Sequence, residues 1–504
     1  MNPLTSLDAY IEHMLESWEI PGLAVRVLKD GKVVHSKGYG VRELGKSEPV
    51  TEQTVFSIAS CTKAFTATAL GMLVDENKLA WDDLVIKHLP DFQTANPALT
   101  GMITLRDLLA HRVGLKENFR IETQGLDYSR QDMIRTVRYS QVTNDFRAKA
   151  SYSNVMYTVV GQIIEEVSGQ SWDDFLKEHI FKPLKMTSSG TSAFDLAKAG
   201  NHSSSHIRGY DGNIMVDPID PAGYWTMDNT APCGAITSTL EDLTPWLLAH
   251  MQRGKHKDLQ LFSEKTAKEM HTPHMLVEVV EGSPFTFEAY GLGWYITQYQ
   301  GQELIWHSGL FRGMFSAVVF APSLDLGIII LGNARDGAGL MEERLMQWMI
   351  DRYLNLPKRD WVGEALPEKI KARADYGAKL ERLHSQRLAE TTPSLTFENY
   401  QGVYAFSPPD QWAVVFRENE LRLERLRTSK PYYAVLEHWH NDIFKPHWND
   451  PLPDYAPAKF VSFHLGVDNV PLGLTFQGPF VKAEYQENYY ARVADYSEAY
   501  RVTF

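Results

Sequence analysis

Between Ser57 and Val74 the chain reads SIASCTKAFTATALGMLV, and Lys63 is the only charged residue in that stretch. The run is too long and too rich in Ala, Leu and Met for a strand. Its apolar residues fall on every face, which predicts a buried central helix that the rest of the chain must surround. Taking an ammonium out of water costs several kcal/mol unless it is paired or neutralised, so Lys63 needs a partner, a lowered pKa, or both. Ser60 stands three residues earlier. That spacing sets hydroxyl and amine on one helical face, as an activated nucleophile requires. The competing reading is an N-cap serine beside a lysine that snorkels to the surface, and S-x-x-K alone does not separate the two.

Size and charge narrow the classes. A chain of 504 residues makes about two or three domains, and 44% apolar with 22% charged residues is a globular composition. A formal net charge of -13 without a basic run argues against a nucleic-acid partner. Two cysteines, Cys61 and Cys233, exclude a disulfide framework and fit a reducing compartment. The N-terminal MNPLTSLDAYIEHMLESW has apolar residues at helical spacing and no basic start before an apolar core, so it reads as a folded helix rather than a signal peptide. No window approaches about 18 uninterrupted apolar residues, which excludes a membrane span. A cytoplasmic protein is expected.

Along the chain, Gly22 to Val27 and Lys32 to Lys37 flank Asp30-Gly31, a strong hairpin signal. Residues 80 to 200 read mainly as helices and loops. ITLRDLLAHRVGL ends at Gly114, and NVMYTVVGQIIEEVSG places Val155, Val159, Ile163 and Val167 on one face before Gly169. Strand patterns return at Glu303 to Trp306, Phe315 to Phe320 and Gly327 to Leu331, and a helix from Leu340 to Leu354 closes the unit. The fold class is α+β: one antiparallel sheet built from both ends of this region, flanked by helices, with an all-helical subdomain at about 80–200. Residues 357–389 read as a charged linker helix. Beyond it the period changes to two, with strands at 412–417, 420–426, 432–438, 442–445, 460–467, 472–476 and 481–485. That pattern predicts a C-terminal antiparallel β-barrel at 390–504.

Two patterns mislead. Gly40 to Ser47, GVRELGKS, matches the phosphate-binding P-loop, yet Glu48-Pro49-Val50-Thr51 follows where a helix should open, so it reads as a surface turn. His438, His440 and His447 have strand alternation and aromatic neighbours, which explain them better than a metal does. Without G-x-S-x-G, the α/β-hydrolase route to a serine nucleophile is closed. Cys61 adjoins Ser60 but points about 100° away around the helix, toward the core.

Two more clusters bear on Ser60. Tyr152-Ser153-Asn154 stands just before a helix and offers a phenol as proton carrier and an amide to grip a carbonyl. Trp306-His307-Ser308-Gly309-Leu310 ends a strand, where Gly309 admits close backbone approach. In this order, Ser60-Cys61-Thr62-Lys63, Tyr152-Ser153-Asn154 and His307-Ser308-Gly309 resemble the S-x-x-K, Y-x-N and H-x-G (usually K-T-G) motifs of the serine β-lactamase and penicillin-binding protein superfamily. The nearest subgroup is class C β-lactamases, D,D-carboxypeptidases, D-aminopeptidases and related esterases. The resemblance spans residues 5 to 355, and the C-terminal part resembles a lipocalin-like domain appended to some of these hydrolases.

The resemblance implies that Ser60 attacks an amide or ester carbonyl to form an acyl-enzyme, with Lys63 or Tyr152 as the base and Tyr152 protonating the leaving group. It implies an oxyanion hole from the backbone N–H groups of Ser60 and Leu310. Asn154 would hold the acyl-side amide, with Ser308 and Gly309 beside the substrate and His307 where a lysine is usual. Small amides or peptides, including D-residue ones, are the first expected substrates. The alternatives are an esterase or β-lactamase, an acyl transferase or cyclase, and a non-catalytic penicilloyl- or peptide-binding protein. No metal or cofactor is called for. The barrel would bind an apolar ligand, cover the cleft, or join copies of the chain into a homo-oligomer.

Overall fold

The computed structural model describes residues 3–115, 128–143, 145–208, 213–217, 227–407, 410–426, 428, 431–449, 460–477 and 489–494. The chain divides into two compact units, one built mainly from residues up to Ala365 and the other from Leu366 onward.

In the first unit, helix α1 (Leu7–Trp18) leads into strands β1 (Gly22–Lys29) and β2 (Lys32–Gly40). Between them Asp30 and Gly31 have φ 52° and 69°, the two positive values a tight hairpin turn needs. Six later strands complete the sheet: β3 (Met275–Leu276), β4 (Phe287–Tyr290), β5 (Tyr295–Tyr299), β6 (Gln302–Phe311), β7 (Met314–Ala321) and β8 (Leu326–Gly332). The order is β2-β1-β8-β7-β6-β5-β4-β3. β1 pairs antiparallel with β8, Leu23 opposite Gly332, so both ends of the unit join in one antiparallel sheet as the sequence predicts. The predicted strands near 303, 315 and 327 lie in β6, β7 and β8. The short β3 to β5 carry no comparable signal, because Gly291 and Gly293 interrupt the alternation between β4 and β5.

The central helix, α2, spans Thr62–Asp75, and every residue from Thr62 to Gly71 is buried. It starts later than the sequence run does. Phe56–Ser57 forms a short strand, and Ala59–Cys61 is a 3₁₀ turn in which Ala59 has φ 44°. A left-handed alanine is strained, and here it stands next to Ser60. Phe65 of α2 stacks on Trp246 with centroids 3.7 Å apart. Short helices and turns dominate residues 80–200, where the longest helix is α3 (Asn154–Ser168), ended by Gly169 at φ 73°. Helix α4 (Met341–Tyr353) packs with α1 through Tyr10 stacked on Trp348 at 4.7 Å. Gly40 to Ser47 forms the end of β2 and a turn, with no helix after it.

Glu342 in the first turn of α4 is buried. One carboxyl oxygen accepts the Gly339 N–H at 2.6 Å and the other has no partner among the described residues. Burial pushes its pKa up to about 8. A carboxyl raised in the folded state contributes most below its unfolded value near 4.5 and loses that contribution as pH rises through 8. Glu342→Gln, a permanently neutral isostere, is therefore expected to raise stability by about 2–4 kcal/mol at pH 8.5 and by little at pH 4.5, as read from denaturant midpoints.

The unit boundary falls within helix α5 (Trp361–Ser385). Eight antiparallel strands follow and close a barrel in sequence order: β9 (Gly402–Ser407), β10 (Asp410–Arg417), β11 (Glu420–Arg425), β12 (Tyr433–His440), β13 (Ile443–Trp448), β14 (Phe460–Leu465), β15 (Pro471–Gln477) and β16 (Tyr489–Ala494). Six of the predicted segments overlap β10 to β15, while the one at 481–485 lies outside the described residues. The histidines on β12 and β13 have local partners: His438 Nε2 lies 2.9 Å from the Asn441 carbonyl and His447 Nε2 2.7 Å from Glu437.

Candidate active site

Ser60 reaches the site on the 3₁₀ turn and Lys63 on the first turn of α2 behind it. The hydroxyl is half-buried, while the lysine is sealed at 0% exposure. The Lys63 amine lies within hydrogen-bond distance of Ser60 Oγ at 3.1 Å, Asn154 Oδ1 at 2.7 Å and the Cys233 carbonyl at 2.9 Å. The last two can only accept. The amine donates to these two, while Ser60 Oγ can either accept from it or donate to it. The Cys233 carbonyl is a contact the sequence did not reveal, because a backbone oxygen leaves no residue-type signal.

Tyr152 and Asn154 arrive together as the chain enters α3. The Lys63 amine lies 4.7 Å from the Tyr152 ring centroid. Behind that ring sits His111, from the segment AHRVGL, with centroids 4.2 Å apart. His111 has φ 54°, and its Nδ1 accepts the Ser153 N–H at 3.1 Å. Burial, with the nearby Lys63 amine, holds its pKa well below the usual histidine value. A neutral histidine therefore fixes the backbone between Tyr152 and Asn154.

β6 supplies the third wall. His307 and Gly309 face the site, and strand alternation turns Ser308 and Leu310 to the opposite face, with Leu310 43% exposed. A Cβ built on Gly309 would lie 2.2 Å from the Ile58 carbonyl, 2.6 Å from Ser316 Oγ and 3.0 Å from the Ser60 nitrogen, so only glycine lets β6 run this close to the nucleophile's turn. His307 Nδ1 meets the Ser308 carbonyl, an acceptor, and must carry the ring proton. Nε2 then accepts the Tyr290 O–H at 2.8 Å. Burial, helped by Lys63, pushes the imidazole down to about 3. His307 is thus neutral with both nitrogens engaged, where a lysine would bring a charge.

Cys61 points away from the cleft, as expected. Its sulfur lies 3.2 Å from Ser316 Oγ and from the His307 carbonyl, and burial pushes the thiol up to about 12. The structure thus gathers Ser60, Lys63, Tyr152, Asn154, His307 and Gly309 around one point, while the Ser308 and Leu310 side chains lie on the other face of β6. It adds Cys233, Tyr290 and His111. No group of His, Cys, Asp and Glu among the described residues could hold a metal.

A family model described as Beta-lactamase matches residues 7–349, and the chain belongs to that family. Residues 386–491 match a domain of unknown function, DUF3471. An unguisins hydrolase of Aspergillus campestris is 31% identical over 369 residues, which cover 70% of this chain and 66% of that protein, just under two thirds of its length. The octameric penicillin-binding protein homologue from Pyrococcus abyssi superposes with a TM-score of 0.62 at 23% identity, covering 95% of this chain and 99% of that one. The D-amino acid amidase from Ochrobactrum anthropi SV3 superposes at 0.56 and 22% identity, covering 70% and 99%. At these identities the two structures speak for the fold. Family and fold agree on a β-lactamase-family chain of the architecture shared with these two structures. Among the described residues no helix is long and apolar enough to cross a membrane.

Proposed function

We infer that the chain hydrolyses amide or peptide bonds of small substrates, including D-residue ones, through a Ser60 acyl-enzyme. The observation that carries this reading is the sealed Lys63 amine, held by two acceptor oxygens with the Ser60 hydroxyl at 3.1 Å. Lys63 takes the serine proton as Ser60 Oγ attacks the substrate carbonyl. The backbone N–H groups of Ser60 and Leu310 receive the developing oxyanion, each donor contributing about 3 kcal/mol in comparable sites. The proton then passes from Lys63 through the Tyr152 hydroxyl, which gives its own proton to the leaving amine as it takes the one from Lys63, and water resolves the acyl-enzyme. Asn154 bridges Lys63 and the acyl-side amide, while His307 and Gly309 shape the cleft. The relative named as an unguisins hydrolase and the amidase of like fold support amide substrates. A neutral His307 disfavours a substrate carboxylate at that position, and with it efficient penicillin turnover.

In this reading residues 1–356 form the catalytic domain, 357–389 a connecting helix and 390–504 a barrel domain. The octameric homologue supports self-association of this chain. The test is a rapid-mixing assay with p-nitrophenyl acetate. We expect a burst of one nitrophenol per chain, lost in Ser60→Ala and kept in Cys61→Ala; a full burst from Ser60→Ala overturns the assignment.

A further inference from the structure

The barrel interior contains a charged pair that the hydrolase reading does not use. On β11 burial alternates, so that Leu421, Leu423 and Arg425 are buried while Arg422 and Glu424 make ion pairs toward the outside. Arg425 therefore points into the barrel, opposite Trp412 on β10. Its side chain is 0% exposed, as is that of Asp410, its ion-pair partner through Nη1. The other Asp410 oxygen accepts the Tyr490 O–H at 2.8 Å. The carboxylate is thereby committed, and the guanidinium is only partly matched.

Arg425 Nε and Nη2 are both buried and have no hydrogen-bond partner among the described residues, and the same is true of Trp412 Nε1. Nε and Nη2 form one edge of the guanidinium, two parallel N–H donors at the spacing of the two oxygens of a carboxylate. Buried donors are ordinarily satisfied, and donors left over at a single spot mark a missing acceptor. The walls around them are aromatic. Trp412 lies under the guanidinium, 4.8 Å from ring centroid to Cζ, with Trp448 and Phe476 at 5.7 and 5.5 Å from its ring and Tyr490 beyond Phe476 at 4.9 Å. Asp410 opens β10, Arg425 ends β11 and Tyr490 lies near the start of β16, so the group sits at one end of the barrel.

We propose that this end of the barrel binds a small carboxylate with a flat aromatic or apolar body. The carboxylate accepts from the Nε/Nη2 edge of Arg425, with the Trp412 indole N–H as a further donor, and the body lies among the rings. An eight-stranded barrel is just wide enough to be filled by its own side chains or to hold one small ligand, and here the ligand takes its place by spreading the rings that now close over Arg425.

The experiment uses the full chain carrying Ser60→Ala, so that no probe is turned over. Phenylacetate, benzoate and indole-3-acetate are titrated against tryptophan emission and by calorimetry, and phenylacetamide serves as the uncharged match to the first. We expect saturable binding of at least one acid, with phenylacetamide at least tenfold weaker than phenylacetate. Arg425→Lys keeps a cation opposite Asp410 but removes the paired donors, and should weaken the acid at least tenfold. Trp412→Phe should remove most of the emission change. Equal affinity for acid and amide, no saturable binding by any of the three acids, or undiminished affinity in Arg425→Lys overturns the proposal. Should Arg425→Lys fail to fold, a crystal of the parent soaked in phenylacetate decides: a carboxylate on the Nε/Nη2 edge supports the site, and water alone there overturns it.

Discussion

Lys63→Met is expected to slow acylation by p-nitrophenyl acetate about 10³-fold, within the range a positioned general base supplies. Methionine matches the length of the lysine stem and leaves the packing of α2 nearly unchanged, but it removes the hydrogen bonds that Lys63 gives to Asn154 Oδ1 and the Cys233 carbonyl. Each such loss costs about 1–3 kcal/mol, offset in part because an amine no longer has to be kept out of water. Activity should therefore fall much further than stability. Lys63→Arg sharpens the test: arginine supplies donors and a permanent cation and does not deprotonate in a protein. If Lys63 is the base, arginine is as slow as methionine. A Lys63→Arg enzyme within tenfold of wild type would make the lysine an electrostatic group and remove it as proton acceptor.

Gly309→Ala should produce the second large loss. The added methyl would stand 2.2 Å from the Ile58 carbonyl and 2.6 Å from Ser316 Oγ, so β6 must draw back from the turn that carries Ser60 or the turn must shift. Both movements would widen the gap between the Ser60 and Leu310 amides, the two proposed to receive the oxyanion. Displacements near 1 Å cost on the order of 10² in rate, and overpacking costs about 1–3 kcal/mol in stability. We expect kcat to fall by about 10² with a smaller change in KM, since the misplaced amides meet the transition-state oxyanion rather than the bound ground state. Rates within threefold of wild type would show that β6 does not set this spacing.

The sequence made some of this legible because polar groups stand out against apolar surroundings. Lys63 inside SIASCTKAFTATALGMLV marks the central helix and its pairing with Ser60 together, and Asp30-Gly31 marks the hairpin. The barrel follows from its period of two, although β9 at Gly402–Ser407 carries no alternation strong enough to be noticed. What stayed hidden depends on tertiary contact. The Cys233 carbonyl is backbone, Tyr290 reaches His307 from a four-residue strand, and His111 matters through a stacked ring and one N–H. The 3₁₀ turn at Ser60 was also hidden, since the same residues satisfy helical periodicity while Ala59 adopts a left-handed φ. The buried Arg425 sits in an ordinary alternating strand, where nothing in its spacing tells inside from outside.

The pairing of β1 with β8 joins segments roughly 300 residues apart in the chain. During synthesis at about 5–20 residues per second, the first hairpin emerges from the ribosome and then waits on the order of fifteen seconds to a minute for its neighbour. Until then the outer edge of β1 has open amides and carbonyls, so a nascent chain of this design depends on being shielded from its copies while translation continues.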